Sequence, residues 1–191
     1  MGFTYRSRRV EEDLEEGVLF WVESSKVRMF FSKNDEGLIL LKPSAELLST
    51  RVAEQFPNAS SEFRDAVKCF VTARNTGCVF HLMRSLEFGL RALGAVFSVS
   101  LEHTNWGSAI DQIESHIRAM HVDPKWKALP DCKDQQEFYA QAAAHFGVLK
   151  DAWRNHTAHV RSNYDQEDAL DILQSVRAFF RKLAVRLSET P

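Results

Sequence analysis

The stretch CVFHLMRSLEFGLRALGAVF, residues 78–97, carries the strongest periodic signal in the chain. Its apolar residues recur at intervals of three and four, which is the spacing of one buried face of an α-helix. Asn75 or Thr76 is a candidate cap for the start of this helix, and Gly94 lies near its end. The residues of the apolar face are Val79, Leu82, Met83, Leu86, Leu90, Leu93 and Phe97.

The same helical spacing recurs further along the chain. Asp165 to Leu187 predicts a long amphipathic helix with Asp165 as its N-cap. Another helix begins near Asp134, which forms an Asp version of a capping box with Glu137. Three shorter helices are predicted over residues 44–56, 61–73 and 105–120, and a proline-containing loop over residues 122–133.

The first 42 residues are ambiguous. Arg8 to Val22 predicts a helix, whereas the apolar runs at 26–31 and 37–41, separated by SKNDE, fit a short β-hairpin or a helix almost equally well. We therefore expect an all-α fold, a helical bundle of four to five main helices over residues 43–191. An N-terminal extension, residues 1–42, precedes it within a single domain.

Composition narrows the classes of function. The 191 residues are 45% hydrophobic and 26% charged with a formal net charge of −2, which argues against disorder and against a global basic field for nucleic acid. Three cysteines without CxxC or zinc-finger spacing predict no metal site, and no cofactor motif is present. No secretory signal or apolar run of about 20 residues is evident, so we expect a cytoplasmic protein without a membrane partner.

Residues 150–165, KDAWRNHTAHVRSNYD, gather groups that bind phosphate or transfer protons. Arginine offers a planar fork of donors that suits phosphate oxygens, and histidine titrates near neutral pH. A structural alternative is a solvated helix C-terminus, where cations offset the helix dipole. The groups concerned are Lys150, Arg154, His156, His159, Arg161 and Tyr164.

Helical geometry places a condition on this cluster. Residues five apart, such as Arg154 and His159, point about 140° away from each other on a straight helix of about 3.6 residues per turn. They can meet only if the helix ends or bends between them. The lack of apolar periodicity from Asn155 to Tyr164 favours such an ending.

The sequence Arg154-Asn155-His156-Thr157-Ala158-His159 resembles the Arg-x(4–6)-His motif of the HEPN superfamily. Its position between the last two predicted helices, and the earlier helix with FHLMR and GLRAL, are also similar to this superfamily over roughly residues 60–187. The resemblance implies a helical bundle that acts as a metal-independent endoribonuclease in toxin–antitoxin, phage-defence or stress-response systems.

The resemblance also implies roles for the motif residues. His159 would act as general acid or base, Arg154 would hold the phosphate, and Asn155 would orient the site or bond to the backbone. His156 is an alternative imidazole, and Lys150, His156 and Arg161 are candidate contacts to RNA. The motif commonly lies at a homodimer interface, and an antitoxin or regulatory protein is a possible partner.

One position departs from the toxin branch of the superfamily. That branch has a tyrosine two residues after the histidine, where a nucleotidyltransferase antitoxin modifies it. Here Arg161 occupies that position, and Tyr164 lies five residues after His159. Regulation through tyrosine modification is therefore not expected.

Two interpretations remain open for the charged residues of the helix over residues 78–97, and other polar and aromatic side chains have one expected role each. Arg84, Glu87 and Arg91 form a charged stripe, which is either a solvated set of ion pairs or a support in which Glu87 or Arg84 orients the Arg154 site. His81 is expected to be packed or at the surface. Base stacking is left open for Trp126, in the proline-containing loop, whereas Trp153 continues an apolar helix face and Trp106, at a helix start, is expected to pack down.

Two further functional classes compete with the nuclease. A non-catalytic HEPN-like module would bind RNA, a nucleotide or a partner protein without cleaving it. A purely structural helical protein would carry the histidine cluster incidentally. RNA cleavage in EDTA distinguishes the nuclease from the non-catalytic module. Variants of Arg154 and His159 test whether RNA cleavage or RNA binding depends on the cluster.

Overall fold

The computed structural model of the chain describes residues 22, 24–33, 35, 39–157 and 164–189, and the side chains of residues 151–157 lie outside that description. Five helices of 14 or more residues within these ranges form a helical bundle, so the predicted all-α class is confirmed. The elements in the described ranges are α1 (Ser24–Phe30), β1 (Phe31–Lys33), β2 (Ile39–Leu41), α2 (Ser44–Leu47), α3 (Thr50–Gln55), α4 (Pro57–Val71), α5 (Asn75–Val96), α6 (Trp106–Ala119), α7 (Pro124–Lys127), α8 (Cys132–Thr157) and α9 (Gln166–Leu183).

The β-hairpin, one of the two structures that the sequence allowed for residues 26–41, is present, but its strands are short. β1 and β2 pair antiparallel with Phe31 opposite Leu41 and Lys33 opposite Ile39. The run before Phe31 is helical in α1, so each of the two alternatives describes part of this segment. Except for Val22, the predicted helix from Arg8 to Val22 lies outside the described residues.

The described part of the extension packs against the bundle through α4. The Phe30 and Phe70 rings meet edge to face with their centroids 5.7 Å apart. The Lys26 ammonium is buried, donates to the Phe70 carbonyl oxygen over 3.3 Å, and lies 4.8 Å from the centre of the Phe70 ring. The hydrogen bond and the cation–π contact offset the free-energy cost of removing this ammonium group from water.

The periodic stretch quoted above becomes the central helix α5. Leu82, Leu86, Leu90 and Leu93 are all fully buried, as the spacing predicted. At Gly89 the helices α8 and α9 come close to α5, because a Cβ there would lie 3.3 Å from Phe146 Cζ and 3.0 Å from Leu183 Cδ1. The bundle core therefore joins α5 to both C-terminal helices.

Two predicted N-terminal caps are wrong. α8 begins at Cys132, so Asp134 lies in its first turn and does not form the capping box; Glu137 instead accepts from Gln141. α5 begins after Arg74 without a side-chain cap, so neither Asn75 nor Thr76 caps it.

Two interruptions within predicted segments were also missed. The predicted helix 44–56 is divided into α2 and α3, because Ser49 starts a new helix by accepting from the Val52 amide. The predicted loop 122–133 contains α7, whose N-cap is Asp123. Asp165 caps α9 as predicted, since it accepts from the Asp168 amide over 2.8 Å.

The N-terminus of α4 is capped from the far end of the chain. Glu189 accepts from the Ala59 amide over 2.6 Å and from the Asn58 amide over 3.0 Å. Pro57, at the first helical position, has no amide hydrogen to satisfy. The Glu189 amide in turn donates to Gln55 over 2.8 Å, which ties residues after α9 to the start of α4.

We expect Glu189→Ala to lower the free energy of unfolding by about 1–2 kcal/mol, because two first-turn amides lose their acceptor and a negative charge leaves a helix N-terminus. Urea denaturation measures this loss. The exposed Glu102→Ala is the control, with an expected change within about 0.5 kcal/mol. Equal stability of both variants would contradict the capping role.

Candidate functional site

The candidate motif begins in the last turns of α8. Arg154 and Asn155 lie within this helix, which spans Cys132–Thr157, and their side chains are outside the description. His156 also lies in α8, with its side chain likewise outside the description, while His159 and Arg161 fall in residues 158–163, outside the described residues altogether. The meeting of Arg154 with His159 therefore stays a prediction.

Lys150 shows which part of the bundle this end of α8 approaches. Its side chain is half-buried, and its Nζ lies 3.7 Å from the position that a Cβ on Gly107 would occupy. Gly107 is the second residue of α6, in its first turn, and Asn105 is the N-cap of that helix. At the opposite end of α6, Gln136 of α8 donates to the Ile117 carbonyl oxygen over 2.7 Å, so the two helices run antiparallel.

This arrangement brings Lys150, in the C-terminal part of α8, beside the positive end of the α6 dipole. The first turn of a helix carries the positive end of its dipole, and the Lys150 ammonium adds a full charge beside it. Arg154 follows Lys150 by four residues, which is one turn further along the same helix.

The charged stripe of α5 forms ion pairs of two kinds. Arg84 Nε donates to Glu62 Oε1 over 2.9 Å, and Arg84 Nη2 forms an ion pair with the same oxygen at 2.8 Å, which links α5 to α4. Glu87 pairs with Arg91 over 2.7 Å within α5, as expected of a solvated i,i+4 pair. Arg84, Glu87, Phe88 and Arg91 line a small cavity of about 240 Å³.

Glu62 is the centre of a cluster that the sequence did not reveal. Its carboxylate, with 15% of the side chain exposed, also contacts His81 Nδ1 over 2.8 Å. The hydrogen bond from Arg84 lowers the pKa of Glu62, and the contact with His81 lowers it further against the opposing effect of burial. A carboxylate on one ring nitrogen fixes the orientation of an imidazole. Glu62 and His81 are 19 residues apart on different helices, so no spacing signal could have identified the contact.

We expect Glu62→Gln to lower stability at neutral pH by about 1 kcal/mol, since Arg84 loses its charged partner at a partly exposed site. The pKa of Glu62 is lower in the folded protein, so its contribution is present above the unfolded pKa and is lost as the pH falls through the folded pKa. Urea denaturation of both proteins across pH 3–7 measures this. A stability difference that does not shrink under acid would contradict the assignment.

The tryptophans pack into the bundle more than the sequence suggested. The Trp126 ring is half-buried, with centroids 5.7 Å from Phe97 and 6.1 Å from Tyr139, so part of this ring packs on the bundle. Trp106 packs edge to face on Phe146 at 6.5 Å, as expected. The Trp153 side chain is outside the description.

The described residues contain neither an arrangement for a metal ion nor a membrane-spanning helix. Within them, no group of three or more His, Cys, Asp or Glu side chains is arranged to hold a metal ion. None of the helices in the same ranges combines the length and the apolar character needed to cross a membrane. Cys69, Cys78 and Cys132 are free thiols, and burial raises the pKa of Cys78 to about 12.

These observations place the protein in the class of helical bundles, and its sequence carries the Arg154 motif at the end of α8, the longest helix among the described residues. Comparison with known proteins adds no relative: no family model, no curated protein and no solved structure matches the chain.

Proposed function

We propose that this chain is a HEPN-like, metal-independent endoribonuclease in which Arg154 and His159 cleave RNA. The observation that carries the proposal is the Arg154-x4-His159 spacing at the C-terminal end of α8, immediately before α9 of an all-α bundle. The antiparallel packing of α8 on α6 supports it, because it brings Lys150 to the positive end of α6.

In the proposed reaction, His159 removes the proton of a ribose 2′-OH. The 2′-oxygen forms a bond to the adjacent phosphorus while the bond to the 5′-oxygen breaks, and that oxygen receives a proton from a second imidazolium. Arg154 stabilises the charge that develops on the phosphate oxygens. The products are a 2′,3′-cyclic phosphate and a 5′-hydroxyl.

A homodimer would supply the second imidazole. Two copies of the motif facing one cleft provide one His159 as base and the other as acid, and they double the local positive charge of a chain whose formal net charge is −2. Asn155 orients the motif, while Lys150, His156 and Arg161 contact the RNA backbone. A role in toxin–antitoxin, phage-defence or stress biology in the cytoplasm, with an antitoxin or regulatory partner, belongs to the same proposal.

The test is incubation of the purified full chain with structured and unstructured RNA in EDTA, followed by analysis of the product ends. We expect 2′,3′-cyclic phosphate ends from the wild type and none from the double variant Arg154→Ala/His159→Ala. RNA binding without cleavage would favour the non-catalytic module instead. A strict monomer by light scattering, at concentrations where cleavage occurs, would contradict the composite cleft.

A further inference from the structure

A groove with a largely apolar lining lies between α8 and α9. Its volume is about 390 Å³, and cavities that hold small molecules typically measure about 300–1,000 Å³. Phe179 and Leu183 of α9 and Ala142 of α8 are buried and form its floor, whereas Val148 of α8 is 67% exposed at its rim. The apolar residues that line the groove are Phe138, Ala142, Ala144, Val148, Phe179 and Leu183.

Each of the two helices contributes a nitrogen-bearing side chain to this groove. His145 of α8 stacks on Phe179, with ring centroids 4.3 Å apart and ring planes 13° apart, and Lys182 of α9 lines the groove as an exposed side chain. Burial lowers the pKa of His145, and the positive charge of Lys182 lowers it further, so the imidazole is mainly neutral at pH 7. Gln141 also lines the groove and donates to Glu137 over 3.1 Å.

The polar groups of His145 and Lys182 have no acidic partner among the described residues. Within those ranges, neither side chain forms a hydrogen bond or an ion pair. The nearby guanidinium of Arg186 lies 5.9 Å from the centre of the Phe138 ring, but it is already paired with Asp131 over 3.0 Å. An ammonium and a neutral imidazole beside apolar surface are complementary to a ligand with one anionic head and an apolar body.

We propose that the groove between α8 and α9 binds a small carboxylate with an apolar body, of the class of medium-chain fatty acids. The carboxylate accepts hydrogen bonds from Lys182 Nζ and from an N–H group of His145, and the apolar body covers Phe179 and Val148. A monoanion matches the single full positive charge of Lys182. A phosphate dianion would leave one negative charge uncompensated beside apolar residues.

The test is calorimetric titration of the full chain at pH 7 with octanoate, with octanamide, which has the same apolar body without the charge, and with acetate, which has the head alone. We expect octanoate to bind at least about tenfold more tightly than either of the others, which corresponds to about 1.4 kcal/mol. The ring signals of His145, identified by their loss in His145→Gln, should shift saturably with octanoate in NMR spectra. No RNA is present, so the result is separate from that of the cleavage test.

Two variants with matched controls locate the binding. Val148→Glu places a negative charge at the rim and should weaken octanoate binding about tenfold while changing octanamide binding less than about twofold. Val122→Glu is its control, because Val122 is 64% exposed in the connection between α6 and α7. Lys182→Met removes the ammonium and should abolish the preference for octanoate over octanamide. Lys133→Met, at an exposed position of α8 about 18 Å from His145 along the helix, should leave that preference unchanged.

Val148 and Lys182 are both exposed, so each variant is expected to fold, and either one alone can overturn the proposal. The proposal fails if the wild type does not bind octanoate at millimolar concentration, or binds octanamide or acetate as tightly. It also fails if Val148→Glu weakens octanoate binding no more than Val122→Glu does. Equal weakening of octanoate and octanamide by Val148→Glu would show that the groove takes an apolar ligand without a carboxylate, which likewise overturns the proposal.

Discussion

Arg154→Ala and His159→Ala should each reduce the rate of RNA cleavage in EDTA by about 10²–10⁴-fold. The loss at His159 is that of a general acid or base, and the loss at Arg154 is that of donors which stabilise the charge of the transition state. His156→Ala should lower the rate by less than tenfold, because the Arg-x4-His spacing assigns the active imidazole to His159. Single-turnover rates with a defined RNA measure all three effects without interference from product release.

Matched controls are available at the other end of α6. Arg118 is 70% exposed and His121 is exposed, and about 20 Å of helix separates this end from the first turn of α6 near Lys150. Arg118→Ala and His121→Ala remove the same side-chain types and should cleave RNA at the wild-type rate. A large loss in the controls, or full activity in both motif variants, would contradict the assignment of the site.

Gly94→Ala should lower the free energy of unfolding by about 1–3 kcal/mol, although alanine is the better helix former. A Cβ on Gly94 would lie 2.7 Å from the Val99 carbonyl oxygen, a backbone atom that cannot rotate away. The turn after α5 is held in this position by the amides of Val99 and Ser98, which donate to the Gly94 and Ala95 carbonyl oxygens. Ser98 takes the left-handed conformation of this turn with φ of 57°.

Gly147→Ala is the matched control for this effect. Gly147 lies within α8, and a Cβ there would meet no atom of the described side chains within 4 Å. The substitution should therefore raise stability by about 0.5–1 kcal/mol through backbone entropy alone. Urea denaturation of both variants measures the difference, and stabilisation by Gly94→Ala would show that the turn shifts freely and that the close contact is unimportant.

The bundle was predictable because its main signals are local. The burial of Leu82, Leu86 and Leu90 follows from their spacing, and the Asp165 cap acts within a single turn. The sequence analysis correctly placed Gly94 near the end of α5, but this glycine is not the residue that adopts the left-handed conformation after the helix. The residue that takes the left-handed conformation is Ser98, and Gly94 is small because the following turn lies against it.

The remaining features depend on contacts between distant parts of the chain. Glu189 caps a helix that begins about 130 residues earlier, and the Glu62 contact with His81 requires α4 and α5 to be packed in register. Neither the hairpin register nor the burial of Lys26 follows from local spacing. For the candidate site, the sequence predicts the residues and their chemistry, and the fold adds the position of Lys150 beside α6.

The most direct test of the proposed chemistry is cleavage in EDTA of a short RNA with one preferred site, compared with the same RNA carrying a single 2′-deoxyribose on the 5′ side of the scissile phosphate. If a 2′-OH is the nucleophile, the wild-type protein cuts the first RNA to a 2′,3′-cyclic phosphate and leaves the second intact at that position. Cleavage of the deoxy-substituted bond, or a requirement for added Mg²⁺, would contradict a metal-independent site built on Arg154 and His159.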